Sequence, residues 1–360
     1  SNNTAVGYAS LGANTTGRDN TAVGFSAGIT NTTGLENTAL GMYALRFNTT
    51  GNTNTALGLQ ALHRNTTASD NTAVGRNSME QNTTGAQNVA VGSLALDANT
   101  EGDNNVSLGY GSLTANTTAD NNVAIGRTAL EANTTGAGNV AVGKDALIAN
   151  TTASNNVAVG MDALTANTEG HSNTAVGRDS GNAITTGDNN LCLGYQAGIS
   201  GSPGGAITTG DNFICLGDEN VTAAHIQVDW TIASDERDKT DFTALDLGLD
   251  FVKALAPVTY KWDKRAKYAE EGADLDAITH DGTHKEDWLD VGFKAQAVEA
   301  LEIAAGYDKD NKTNLVSSHS GDGKQMGLQY SKFVPILVKA IQEQQTLIES
   351  LTARITTLEG

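Results

Sequence analysis

One spacing governs the sequence. From Gly7, Gly24 and Gly41 through to Gly194, twelve glycines stand 17 residues apart without a slip, and a thirteenth, Gly217, follows an insertion around residues 200–205. A fixed period of this length makes each repeat one coil of a stacked array, in which no coil buries its apolar residues alone. The unit reads N-[TV]-A-[VLI]-G-x-x-[AS]-L-x-x-N-T-T-G, as in Asn139-Val140-Ala141-Val142-Gly143 and then Asn150-Thr151-Thr152. Branched residues flank a small one ahead of each glycine, and such alternation marks a short strand. The expectation is a parallel β-solenoid over residues 1–217. The branched row should fill the narrow core, and the small row (Ala5, Ala22, Ala73, Ala141) should face outward. That row suits close packing of sister chains, or equally a tightly wound single solenoid. The second apolar pair, as in Ala61-Leu62 and Ala95-Leu96, should seed another strand. At ~4.8 Å per coil the shaft is on the order of 60 Å long.

Asn-Thr-Thr-Gly is turn chemistry, since Asn and Gly accept left-handed backbone, and stacked asparagines form ladders. The same triplet matches a glycosylation acceptor, but a turn explains its regular recurrence better. Ice binding is disfavoured because the paired threonines are consecutive and cannot share one flat side. Cys192 and Cys215 both occupy the small position and read as stacked neighbours, not as a bridge. The net charge of −19 leaves no basic face for nucleic acid or anionic lipid. No run approaches the ~20 apolar residues of a membrane span.

Beyond about Asp218 the composition changes: charged residues become denser and all three tryptophans appear. Residues 218–233 should connect the two parts and hold a strand, Ile226–Ile232, and residues 234–360 should form an α/β domain. Expected there are a helix over about Ala244–Leu255, strands at Val258–Trp262 and from Val291, and one long terminal helix after Tyr330. In that helix Val334, Leu337, Ile341, Gln344, Ile348, Leu351, Ile355 and Leu358 alternate spacings of three and four, a coiled-coil seam over about 333–358. The β-branched and Leu layers alone lean toward two strands, and Gln344 is a device that can change the oligomer.

The repeats resemble the head repeats of trimeric autotransporter adhesins, which carry an N-[ST]-V-A-[IV]-G pattern, here Asn88-Val89-Ala90-Val91-Gly92. Similar repeats also occur in phage tail fibres. Four ordered motifs in the C-terminal part are more specific: S-D-x-R-x-K at Ser234–Lys239, P-V-x-Y-x-W at Pro257–Trp262, G-F-x-A-Q at Gly292–Gln296, and Tyr330 followed by Ala340-Ile341-Gln342-Glu343. Together they resemble the endosialidase-type intramolecular chaperone of phage tail spikes and fibres. The resemblance implies a homotrimer, which would decide the seam for three strands. It also implies self-cleavage between Ala233 and Ser234, with Ser234 as nucleophile and Lys239 as its base, and no turnover of a separate substrate. The implied place is a virion tail, with a bacterial surface adhesin or filament as the alternative; a host cell-surface glycan or protein is the receptor class for either. A polysaccharide-degrading spike whose catalytic part lies elsewhere is a third, weaker reading. No cofactor or metal is expected. His280 and His284 flank Asp281-Gly282, a loop; Asp308–Lys312 lacks the rest of a calcium loop; Gly321–Lys324 lacks the spacing of a phosphate loop.

Overall fold

The computed structural model describes residues 2–202, 204–227, 230–269, 275–307, 315–320 and 323–360. The chain forms two compact units, Ser1–Glu219 and Asn220–Gly360.

In the first unit each coil supplies one three-residue strand, from β1 (Thr4–Val6) to β13 (Ile214–Leu216). The thirteen strands pair in sequence order. All are parallel and in register, as in Val123↔Val140, Ala124↔Ala141 and Ile125↔Val142. This is a parallel β-solenoid.

Its inside is the reverse of the expected one. The central Ala of the strand is buried (Ala56, Ala90 and Ala124 are all at 0 % exposure), whereas Leu40, Leu57, Val91, Ile125 and Val176 face outward at 36–44 %. A coil this short leaves room for only a small side chain behind the strand. The Ala-Leu pair fills the rest, but not as a strand. Leu62 and Leu96 sit in left-handed turns (φ 49° and 53°) that aim the side chain inward, where both are fully buried. Left-handed backbone costs an L-residue about 1–2 kcal/mol, and burying the Leu side chain returns roughly 1.5–3 kcal/mol. The turn amides are satisfied by the following coil: Leu62 N donates to Ser78 O at 3.0 Å and Leu96 N to Ser112 O at 2.9 Å. Each coil is therefore locally strained, and neighbours relieve the strain.

Two asparagine ladders run through the same stack. Asn82 Nδ2 donates to Asn65 Oδ1 and to Gly85 O, both at 2.9 Å. In the other ladder Asn105 N donates to Asn88 Oδ1, and Asn105 Nδ2 to Ala119 O, both at 2.8 Å. From Asn48 to Asn150 the Asn-Thr-Thr asparagines are fully buried and their side-chain amides donate within the ladder, so they are closed to glycosylation once the shaft is folded.

The period itself follows from backbone contact. At Gly126 φ is +140°, and a Cβ there would lie 2.3 Å from Gly143 O in the next coil. Gly126→Ala is expected to cost more than about 3 kcal/mol, from strain plus a clash with immovable backbone. A thermal melt of the shaft should show a drop of several degrees, and an unchanged melt would contradict the packing described.

The register continues past the insertion: Leu191↔Ile214 and Cys192↔Cys215 pair directly. Both cysteines are buried and no disulfide joins them, as stacked small residues should be. Burial, with Cys215 beside it, pushes the Cys192 thiol up to about 12.

The second unit holds α1 (Leu249–Ala254), β14 (Val258–Tyr260), β15 (Asp290–Gly292), α2 (Ala295–Ala304), β16 (Ser317–His319), β17 (Met326–Leu328) and α3 (Phe333–Glu359). β14 pairs antiparallel with β15, and β16 with β17. Leu247, Phe251, Val298, Val316, Phe333 and Ile336 form the core. Two expectations need correction. Among the described residues of 218–233 no strand forms, and Ile226, Trp230 and Ile232 are exposed. Two residues of that expected strand, 228 and 229, lie outside the described residues. The first helix begins at Leu249, not near Ala244: Glu343 of α3 accepts the Leu249 N–H at 2.7 Å and so defines the first turn.

Candidate functional site

Ser234–Lys239 forms a closed local turn. Asp235 caps a 3-10 turn over Glu236–Asp238, its side chain accepting from Arg237 N at 2.9 Å. The guanidinium of Arg237 folds back onto the same carboxylate, with Nη2 to Oδ2 at 2.6 Å and Nε to Oδ1 at 3.1 Å. Hydrogen bonds from Arg237, first from its side chain and then from its backbone, hold the Asp235 carboxyl below the usual carboxylate range. One turn of this geometry returns residue 239 over residue 234. Lys239 Nζ lies 2.6 Å from Ser234 Oγ and 3.2 Å from Ser234 O. All six residues and Ala233 are exposed.

A hydroxyl and an amine at this distance can exchange a proton. Neutral lysine would accept from Ser234 Oγ, and the oxygen would then be nucleophilic toward the adjoining carbonyl of Ala233. An ammonium only donates, so the contact can serve as a base only with the amine neutral. Lys239 is exposed, and among the described residues none covers it.

The other motif residues meet elsewhere. Tyr330 Oη accepts from Phe293 N at 3.3 Å, and a Cβ on Gly292 would come within 2.4 Å of that oxygen. The glycine of G-F-x-A-Q is thus a close-approach residue. Phe293 stacks on Phe333 with ring centroids 5.2 Å apart, and Tyr260 meets Trp262 edge-on at 5.2 Å. Trp262 Nε1 donates to Asp290 Oδ2 at 3.2 Å. These three motifs build the scaffold, whereas S-D-x-R-x-K closes on itself.

Sequence reasoning passed over the carboxylate of Glu302, and it quoted Glu343 only as part of a motif without a structural role. Glu302 on α2 is fully buried and accepts from Leu315 N (2.8 Å), Val316 N (2.6 Å), Ser317 N (3.0 Å) and Ser317 Oγ, which anchors the strand entering β16. Its signal was a charged residue one turn after Val298 on the buried face of α2. Glu343 caps α1 as described, and that contact holds its carboxyl below the usual range. Gly248 makes room for it, since a Cβ there would lie 2.3 Å from Glu343 Oε2.

α3 divides into two faces. Phe333, Ile336 and Ala340 are buried in the domain core, while Val334, Leu337, Ile341, Gln344, Ile348, Leu351, Ile355 and Leu358 are all exposed on the single chain. The heptad seam is an apolar stripe left exposed among the described residues. His284 packs edge-on against Tyr268 at 4.7 Å, and among the described residues no cluster of metal-ligating side chains occurs. The stretch Asp308–Lys312, together with Gly321 and Asp322, lies outside the described residues. No described helix is long and apolar enough to cross a membrane.

No curated protein and no solved structure matches the chain. Residues 234–307 match the family model described as chaperone of endosialidase, a match that begins on Ser234 and takes in Lys239, β14, β15 and α2.

Proposed function

We propose that the chain is a segment of a trimeric fibre, a β-solenoid shaft whose C-terminal unit drives homotrimer folding and then cuts itself free between Ala233 and Ser234. The observation that carries this reading is the 2.6 Å contact of Lys239 Nζ with Ser234 Oγ at the start of the matched chaperone region. Lys239 takes the hydroxyl proton, and Ser234 Oγ adds to the Ala233 carbonyl carbon. The peptide C–N bond breaks, its nitrogen takes a proton, and Ala233 is left as an ester on Ser234. Water then hydrolyses that ester, giving a carboxylate on Ala233 and a free amine and hydroxyl on Ser234. Because Lys239 is exposed in one chain, cover from sister chains would tie cleavage to completed assembly.

Two further features support a trimer. The outward row of branched residues runs the length of the shaft, a larger apolar strip than monomers ordinarily expose. It, not the Ala row, is the face offered to sister chains. The uncovered heptad of α3 supplies a second seam. Folding help is also physically reasonable, since strained coils gain only from non-local neighbours, an ordering that makes assembly slow and exposes sheet edges. The place we propose is a virion tail fibre, favoured over a bacterial adhesin by the chaperone match. Light scattering should give about three times the 37.2 kDa chain mass before processing. A stable monomer at micromolar concentration would end the trimeric reading.

A further inference from the structure

The contact between Ser234 and Lys239 depends on two neighbours to which the chemistry itself assigns no part. We infer that Asp235 and Arg237 are positioning residues, whose ion pair locks the 3-10 turn that lays Lys239 Nζ on Ser234 Oγ and cancels the charge of the carboxylate beside that amine. The inference rests on the self-cleavage reading above.

The geometry separates two tasks. Asp235 Oδ1 accepts the Arg237 N–H at 2.9 Å, and the turn is completed by Asp238 N to Asp235 O (3.2 Å) and Lys239 N to Glu236 O (3.1 Å). Without the cap, a three-residue turn on an exposed segment has little to hold it, and the five-residue return of Lys239 to Ser234 is lost with it. The Arg237 fork then fixes the Asp235 rotamer through both carboxylate oxygens, at 2.6 Å and 3.1 Å. The second task is electrostatic. The charged groups around Lys239 are Asp235, Glu236, Arg237 and Asp238 of its own turn, and among the described residues no hydrogen bond or ion pair joins this turn to another element. An unopposed Asp235 carboxylate would favour the ammonium form of the lysine and so work against its use as a base. The guanidinium opposes it, and the carboxyl, held below its usual range, stays ionised and clamped across neutral pH.

The test follows processing of the full-length chain as a function of pH at low ionic strength, on material shown by light scattering to be assembled. Asp235→Ala and Arg237→Ala should each slow cleavage on the order of 10²-fold, the loss expected when reacting groups are displaced by about 1 Å. The pH profiles should move in opposite directions by about half a unit: upward for Arg237→Ala, which leaves a lone carboxylate, and downward for Asp235→Ala, which leaves a lone cation. The double variant should be slow with the wild-type profile. Arg237→Lys should restore the profile but only part of the rate, since an ammonium keeps the charge without the fork. Wild-type rates in the single variants would overturn the inference, and so would slowed cleavage with unshifted profiles, which would reduce the pair to a structural role. A wild-type trimer that never cleaves, or a Ser234→Ala chain that still does, is a different result and overturns the self-cleavage reading together with this one.

Discussion

Ser234→Ala should leave an assembled trimer that never processes, and Lys239→Arg should do the same. Removing one exposed hydroxyl touches neither the solenoid core nor the buried face of α3, so molar mass and melting should stay as in the unaltered chain. The rate should fall to background, because among the described residues no other side chain hydrogen-bonds Ser234 Oγ. Arginine keeps the charge and much of the reach but stays protonated at any accessible pH, so it cannot take the serine proton. Lys239→Ala should slow processing by 10²-fold or more, the usual worth of a positioned base. If Lys239→Arg cleaves normally, lysine is not the base and the 2.6 Å contact is incidental.

The second large effect concerns assembly. Ile348→Asp with Leu351→Asp should abolish trimer formation, and processing with it. Both residues are exposed in the single chain, so the fold of the domain should tolerate the change, as the intact core of Phe251, Val298, Phe333 and Ile336 would report. In a closed seam each unpaired carboxylate costs about 3 kcal/mol or more, repeated in every chain. At about 1.4 kcal/mol per tenfold, association should weaken by well over 10⁴-fold. The shaft should then be recovered as aggregate, since its outward apolar row and open sheet ends stay uncovered. The readouts are light scattering and the soluble fraction. A soluble, trimeric, fully processed double variant would mean that the seam plays no part in assembly.

The legibility of this chain varied with its symmetry. A glycine that must pass within van der Waals contact of the next coil announces itself in every repeat, so the solenoid, its register and the stacked cysteines were readable from spacing alone. Which face points inward was not readable. Alternation distinguishes two faces, but only the cross-section of a coil decides that Ala124 goes in and Ile125 out. Left-handed Leu62 and Leu96 gave no warning either, because nothing in their identity favours that backbone. In the second unit the long helix and the β14–β15 pair carried clear periodic or motif signals. The β16–β17 hairpin did not, as Ser317-Ser318-His319 has no apolar alternation and is held by Glu302 from another element. The strand expected near Ile226–Ile232 is not formed by the residues described there, and two of its residues lie outside them. Ser234 and Lys239 were found through motif resemblance; their contact across a single turn is what the structure adds.

The most direct test is intact-mass measurement of the freshly assembled chain over time, with N-terminal sequencing of any fragment. The account predicts loss of the 37.2 kDa species and appearance of two products meeting at Ala233–Ser234, the smaller one beginning Ser234-Asp235-Glu236, and no such products when the chain is held in denaturant. A trimer that keeps its full mass through prolonged incubation, or one that is cut at any other bond, would contradict it.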